Sequence, residues 1–205
     1  GWTFAQIRKV LNEHPAIEYK SAGLSDQQIL QHIGASETAV EGIFFPDTYY
    51  FIKGSSDLDI LQRAYKTMQN HLQNYWSERV ESLPLNTPYE ALILASIIEK
   101  ETGAESDRAK IAGVFINRLR KGMKLQTDPT VIYGLGEQFD GNLRKKDLLA
   151  DQEYNTYTRA GLPPTPISLP SLASIRAALN PAETDALYFV AKGNGESEFS
   201  TNLAD

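Results

Sequence analysis

The stretch LILASIIEKETG, residues 92–103, decides how this chain is read. From Leu92 to Ile98 it is apolar except for Ser96, and a helix that is apolar all round must sit inside a core. It then ends in Glu99, Lys100, Glu101 and Thr102. At about 100° per residue the two glutamates lie about 160° apart on the helix, so they meet different surroundings. Ile98, Ile97 and Leu94 precede Glu101 at helical spacing, whereas Ser96, Ala95 and Leu92 precede Glu99. Glu101 therefore extends the greasier stripe. A carboxyl there is desolvated, its charged form is disfavoured and its pKa rises, the condition for a general acid near neutral pH. The same pattern also allows two solvated glutamates on a frayed last turn, although the helix dipole prefers cations there.

Working outward, Thr3 with Gln6 and Ser25 with Gln28 read as capping boxes, which predicts two short helices around a loop at Pro15. GIFFPDTYYF, residues 42–51, is aromatic and β-prone on both sides of Pro46, and is expected as an extended segment broken by that proline. Asp57 is expected to cap a longer helix striped by Leu61, Tyr65, Met68 and Leu72. The opening helix runs from Pro88 to Thr102. Another, from near Asp107, turns Ile111, Val114, Phe115 and Leu119 inward and stops at Gly122. Beyond it, LQTDPTVIYG (125–134) and YNTYTRAGLPPTPISLP (154–170) read as irregular. Loops this long in a compact domain are usually functional or disordered, and the aromatics and prolines here argue against disorder. Residues 171–179 predict a short helix, and 186–201 a hairpin around Gly193, Asn194 and Gly195. The fold class is α+β: helices packed beside a small, mostly antiparallel sheet built from the Phe44 region and the hairpin.

Composition narrows the function. The net charge of -6, with no basic run, argues against a nucleic-acid partner. There is no Cys, and the three His (His14, His32, His71) are scattered, which leaves no disulfide, no thiolate metal site and no candidate Ser-His-Asp triad. No Gly-rich loop precedes a helix to cradle a phosphate. No metal and no cofactor is expected. No apolar run reaches the roughly 18 residues that span a bilayer, no signal peptide is visible, and the start at Gly1 suggests an excised piece. What remains is a set of polar and aromatic side chains: Gln126, Thr127, Asp128 and Tyr133, then Tyr154, Asn155, Thr156 and Tyr157. Aromatic faces stack on sugar C–H surfaces while amides and hydroxyls pair with ring substituents. The same groups serve equally well to cap turns and satisfy loop backbone. Gly161 to Pro164 with Pro166 makes a stiff groove wall, or a polyproline ligand motif. Glu41 and Asp47 flank the aromatic segment and read as caps rather than cleft residues.

Five ordered motifs, EGIFFPDTYYF, ASIIEKET, VFINRLRKGMKLQTDPTVIYG, YNTYTRAGLPPTPI and ALYFVAKGNGESEFSTNL, resemble the MltG/YceG-like family of endolytic murein transglycosylases. The resemblance runs from Glu41 to Leu203, and residues 1–40 are less distinctive. It implies two parts: 1–40 as a helical segment following a LysM-like subdomain that is missing here, and 41–205 as the catalytic domain. It implies a lyase that cuts peptidoglycan glycan strands internally and leaves a 1,6-anhydro-N-acetylmuramyl end. Glu101, the Glu of the Glu-Thr pair, would be the acid/base. Asn117, within the third motif, joins the two loops as a candidate substrate contact. The resemblance also implies an inner-membrane anchor ahead of this segment, a catalytic part on the periplasmic or outer side, and proximity to the peptidoglycan synthesis machinery. Two other readings stay open: a hydrolytic muramidase using Glu101 with Asp128 or Asp47 and a water, and a non-catalytic glycan-binding module.

Overall fold

The structure, a computed structural model, describes residues 1–192 and 197–202. In chain order these residues form α1 (Phe4–Glu13), α2 (Asp26–Ile33), α3 (Asp57–Ser77), α4 (Pro88–Glu101), α5 (Glu105–Arg120), α6 (Asp128–Leu135), α7 (Lys145–Leu149), α8 (Leu172–Leu179), β1 (Tyr188–Ala191) and β2 (Ser197–Ser200).

The apolar helix α4 is the centre. Thr87 caps it by accepting the Glu90 N–H, and Pro88 occupies the first turn, where its missing N–H costs nothing. Residues 91–98 are all buried. Helices α3, α5, α6 and α8 pack around α4. Phe4, Ile29, Leu30 and Ile33, from the first forty residues, join the same core. The two predicted capping boxes form: Gln6 Oε1 accepts the Thr3 N–H (2.8 Å) and Gln28 Oε1 the Ser25 N–H (2.9 Å). The α3 cap is Ser56 rather than Asp57. Asp57 is buried and accepts the N–H groups of Lys20 (2.8 Å) and Ser21 (3.2 Å), which pins that loop to the start of α3.

Two further expectations are corrected. The Phe44 region contributes no strand. Gly42 takes φ 80, and a Cβ there would meet Pro166 Cβ at 2.2 Å, so the turn requires glycine. The Phe45 N–H goes to Ala64 O of α3 (3.1 Å), and Pro46 has none to give. Among the described residues the sheet is therefore β1 and β2 alone, antiparallel, with Phe189 opposite Phe199 and Ala191 opposite Ser197. The predicted turn at Gly193, Asn194 and Gly195 lies outside the described residues. The second correction is α6, which occupies a stretch read as irregular. Its β-branched Thr130, Val131 and Ile132 and its Gly134 hide the helix from local propensity, but Pro129 sits in its first turn and Val131 is fully buried. The stretch 154–170 does lack regular helix or strand.

The hairpin is fastened to α5. Asp107 Oδ2 accepts the Ser197 N–H (2.7 Å), and the Phe115 and Phe189 rings meet edge-on at 5.7 Å.

Candidate active site

The last turn of α4 sends its two glutamates apart. Thr102, in extended conformation (φ -144, ψ 139), ends the helix and accepts the Ala104 N–H on its hydroxyl. Glu99 Oε2 accepts from Ser171 N (3.0 Å), Ser171 Oγ (2.6 Å) and Ser174 Oγ (2.6 Å), at the positive N-terminus of α8. Burial opposes the Glu99 charge, but these hydrogen bonds outweigh it and hold the carboxyl below the usual range. Glu101 Oε1 accepts from the Thr127 hydroxyl, its one hydrogen bond among the described residues. Burial pushes the Glu101 carboxyl up, the Thr127 bond offsets part of this, and the nearby negative Asp128 pushes it further up. The negative C-terminal end of α4 acts in the same sense.

Thr127 is fixed by a threonine latch between two loops. The Gln126 N–H donates to Thr156 O (3.1 Å) and the Thr127 N–H to Thr156 Oγ1 (3.0 Å). Thr130 Oγ1 donates to Thr127 O (2.8 Å) and lies 2.9 Å from Thr156 Oγ1. Gln126 takes φ 52, a left-handed conformation unusual for a non-glycine residue, at the point where the chain turns from α5 into the site. The Tyr157 hydroxyl donates to Asp128 Oδ1 (2.5 Å). The result is a cleft of about 280 Å³ onto which Glu101, Asp128, Gln126, Tyr157, Arg118 and Phe189 open.

The structure sorts the residues singled out in the sequence. Glu101, Gln126, Asp128 and Tyr157 line the cleft, and Thr127 touches Glu101. Asn155 and Thr156 are buried and hold the loops. The Asn155 amide donates to the Asp147, Leu148 and Ala150 carbonyls at the end of α7. Asn117 donates to Thr184 O (2.6 Å) and Ala186 O (3.1 Å), which ties the chain before β1 to α5. Tyr133 and Tyr154 form a separate pair with ring centroids 4.9 Å apart; Tyr133 donates to Glu41 (3.2 Å), and Tyr154 pairs with Thr165 (2.8 Å). Glu41 caps α1 by accepting the Phe4 N–H (2.9 Å), and Asp47 accepts the Thr48 N–H (2.7 Å). Asp47 lines a depression with Trp2 and Glu99, not the Glu101 cleft. The cleft residues that sequence reasoning missed are Phe115, Arg118, Leu125, Phe189, Ala191 and Ser197. Arg118 stands three residues after Phe115 and seven after Ile111, on the buried face of α5, and that phase was a usable signal. No group of three potential metal ligands occurs among the described residues.

Fold and site together define a mostly helical α+β domain with one desolvated carboxyl held at a helix end over an open polar and aromatic cleft. The YceG-like family model matches residues 1–205, and the chain belongs to that family. It is 44% identical over 167 residues to an endolytic murein transglycosylase of Bacillus subtilis, covering 81% of this chain and 46% of that protein. A protein of the same name from Streptococcus pneumoniae is 33% identical over 172 residues, covering 81% of this chain and 31% of its own length. The chain thus spans less than half of these curated relatives. The crystal structure of a yceG-like protein from Listeria monocytogenes superposes with a TM-score of 0.74 at 34% identity, over 98% of this chain and 65% of the other.

Proposed function

We propose that this chain cleaves murein glycan strands internally as a lytic transglycosylase, with Glu101 as its general acid and base. The observation that carries the reading is the setting of Glu101. Burial raises its pKa, and one oxygen is fixed by Thr127 while the other has no partner among the described residues. In the first step protonated Glu101 donates its proton to the glycosidic oxygen as the bond from C1 of N-acetylmuramic acid breaks. The acetamido group of that sugar supports the developing cation, a substrate-assisted route that requires no second carboxylate. In the second step the C6 hydroxyl attacks C1 and gives its proton to the Glu101 carboxylate. This closes the 1,6-anhydro ring, regenerates the acid and adds no water. Asp128, aligned by Tyr157, keeps the Glu101 proton in place electrostatically.

The names of the relatives support this reading. With it come the finer proposals: a catalytic domain on the periplasmic or outer side of the inner membrane, peptidoglycan strands as substrate, and the synthesis machinery as neighbour. No helix of the described residues is long and apolar enough to cross a membrane. Hydrolysis is the second reading, favoured by the presence of Asp128 in the same cleft as Glu101. Mass spectrometry of purified glycan after digestion separates the two. Products ending in 1,6-anhydro-N-acetylmuramic acid are expected, and products 18 Da heavier with reducing ends would replace the lyase with a hydrolase, one water being ~18 Da.

A further inference from the structure

Arg118 is 6% exposed and borders the cleft that holds Glu101. A buried cation is ordinarily paired with a carboxylate, yet none of the ion pairs among the described residues includes Arg118. The protein gives it neutral acceptors instead. Nε donates to Leu187 O (2.6 Å), and Nη1 donates to Leu125 O (2.9 Å), Lys124 O (3.2 Å) and Gln126 Oε1 (3.3 Å). The Tyr188 ring lies against the guanidinium at 4.9 Å. Nη2 has no acceptor among the described residues and is not fully enclosed, and Arg118 lines the cleft. The guanidinium is thus locked on two of its nitrogens and open on the third. Phe115, Leu125 and Phe189 line the cleft beside it, and apolar walls of this kind strengthen a pairing with an anionic oxygen.

We infer that Arg118 is a specificity-determining residue whose Nη2 pairs with a carboxylate of the bound glycan. This rests on reading the cleft as a muramyl-glycan site. The carboxylate has two possible sources: the lactyl group of a stem-free muramyl residue, or the peptide stem of a substituted one. In the first step Glu101 is protonated and does not repel it, and the Asp128 charge is engaged by Tyr157.

The test uses three small probes titrated into the protein by NMR: N-acetylmuramic acid, its methyl ester, and N-acetylmuramyl-L-alanyl-D-glutamic acid. At least one acid form is expected to bind about tenfold or more tighter than the ester, the scale of one charge-assisted hydrogen bond. Preference for the first acid identifies the lactyl carboxylate, and preference for the third probe identifies the stem. Both acids binding like the ester would overturn the inference. In Arg118→Gln, which removes the charge, the difference should collapse, whereas a purely structural Arg118 would leave the ratio intact and overturn it. The guanidinium 15N signals of wild-type Arg118 give a readout that needs no variant: they shift with the preferred acid and not with the ester, and no shift contradicts the pairing. Glycan cleavage is followed alongside. Cleavage without acid preference sinks the subsite alone, and acid preference without cleavage sinks the proposed reaction alone.

Discussion

Glu99 and Glu101 share one helical turn and one amino-acid type, yet their surroundings give them opposite chemistry. Glu99 meets the N-terminus of α8, receives three hydrogen bonds and is held in its charged form. Glu101 meets a single threonine hydroxyl at the end of a buried stripe, and its charge is disfavoured. The first arrangement stabilises the fold. The second works against stability and suits the acid role proposed for Glu101, the trade expected where a site needs a strained or desolvated group. The difference comes from helical phase: a two-residue offset turns one carboxyl toward a donor-rich helix end and the other into the cleft.

Four substitutions test this contrast, in order of decreasing effect on cleavage. Glu101→Gln should lower the rate on purified glycan about 10²–10⁴-fold. It should also stabilise the protein at neutral pH. A carboxyl whose folded pKa is raised contributes its stability below the unfolded value of 4.5 and loses it as pH rises through the folded value. Chemical denaturation should therefore favour the variant at pH 7, with the gain vanishing below pH 4.5. Thr127→Val should cost about tenfold in rate, the scale of one lost hydrogen bond in a positioned group. Because that bond lowers the Glu101 pKa, the alkaline limb of the pH–rate profile should move up. Asp128→Asn removes the charge that raises the Glu101 pKa, so the same limb should move down, with a few-fold loss at neutral pH. A loss as deep as that of Glu101→Gln would instead support hydrolysis with two essential carboxylates. Glu99→Ala should leave the rate per folded molecule nearly unchanged and cost roughly 1–3 kcal/mol of stability at pH 7, since it strands buried donors. That cost should fade in acid, because a depressed pKa contributes stability above the unfolded value and loses it as pH falls through the folded one.

Much of this contrast was legible in the sequence, because α4 is long, apolar and phased without ambiguity. The spacing of Leu94, Ile97 and Ile98 places Glu101 on the greasy stripe, and the capping boxes at Thr3 and Ser25 mark helix starts by chemistry local to four residues. What failed depended on distant partners. The 42–51 stretch has strand propensity, but its backbone is directed by Pro166 against Gly42 and by the Ala64 carbonyl. Helix α6 is carried by the burial of Val131 rather than by its own weak propensity. Tyr133, Tyr154 and Tyr157 are alike in composition, yet one pairs with Asp128 in the cleft while Tyr133 pairs with Glu41, 92 residues away. Asn117 and Asn155 look like sugar contacts until their amides are seen to close backbone carbonyls. Arg118 was within reach of the helical phase.

The most direct test is a carboxyl titration of both glutamates in one sample, by 13C NMR of the protein labelled at glutamate Cδ, with Glu99→Gln and Glu101→Gln assigning the two signals. The predicted result is a Glu101 midpoint above 4.5 and a Glu99 midpoint below it. Coincident midpoints, or the reverse order, would contradict the division of one helical turn into a structural carboxylate and a catalytic acid.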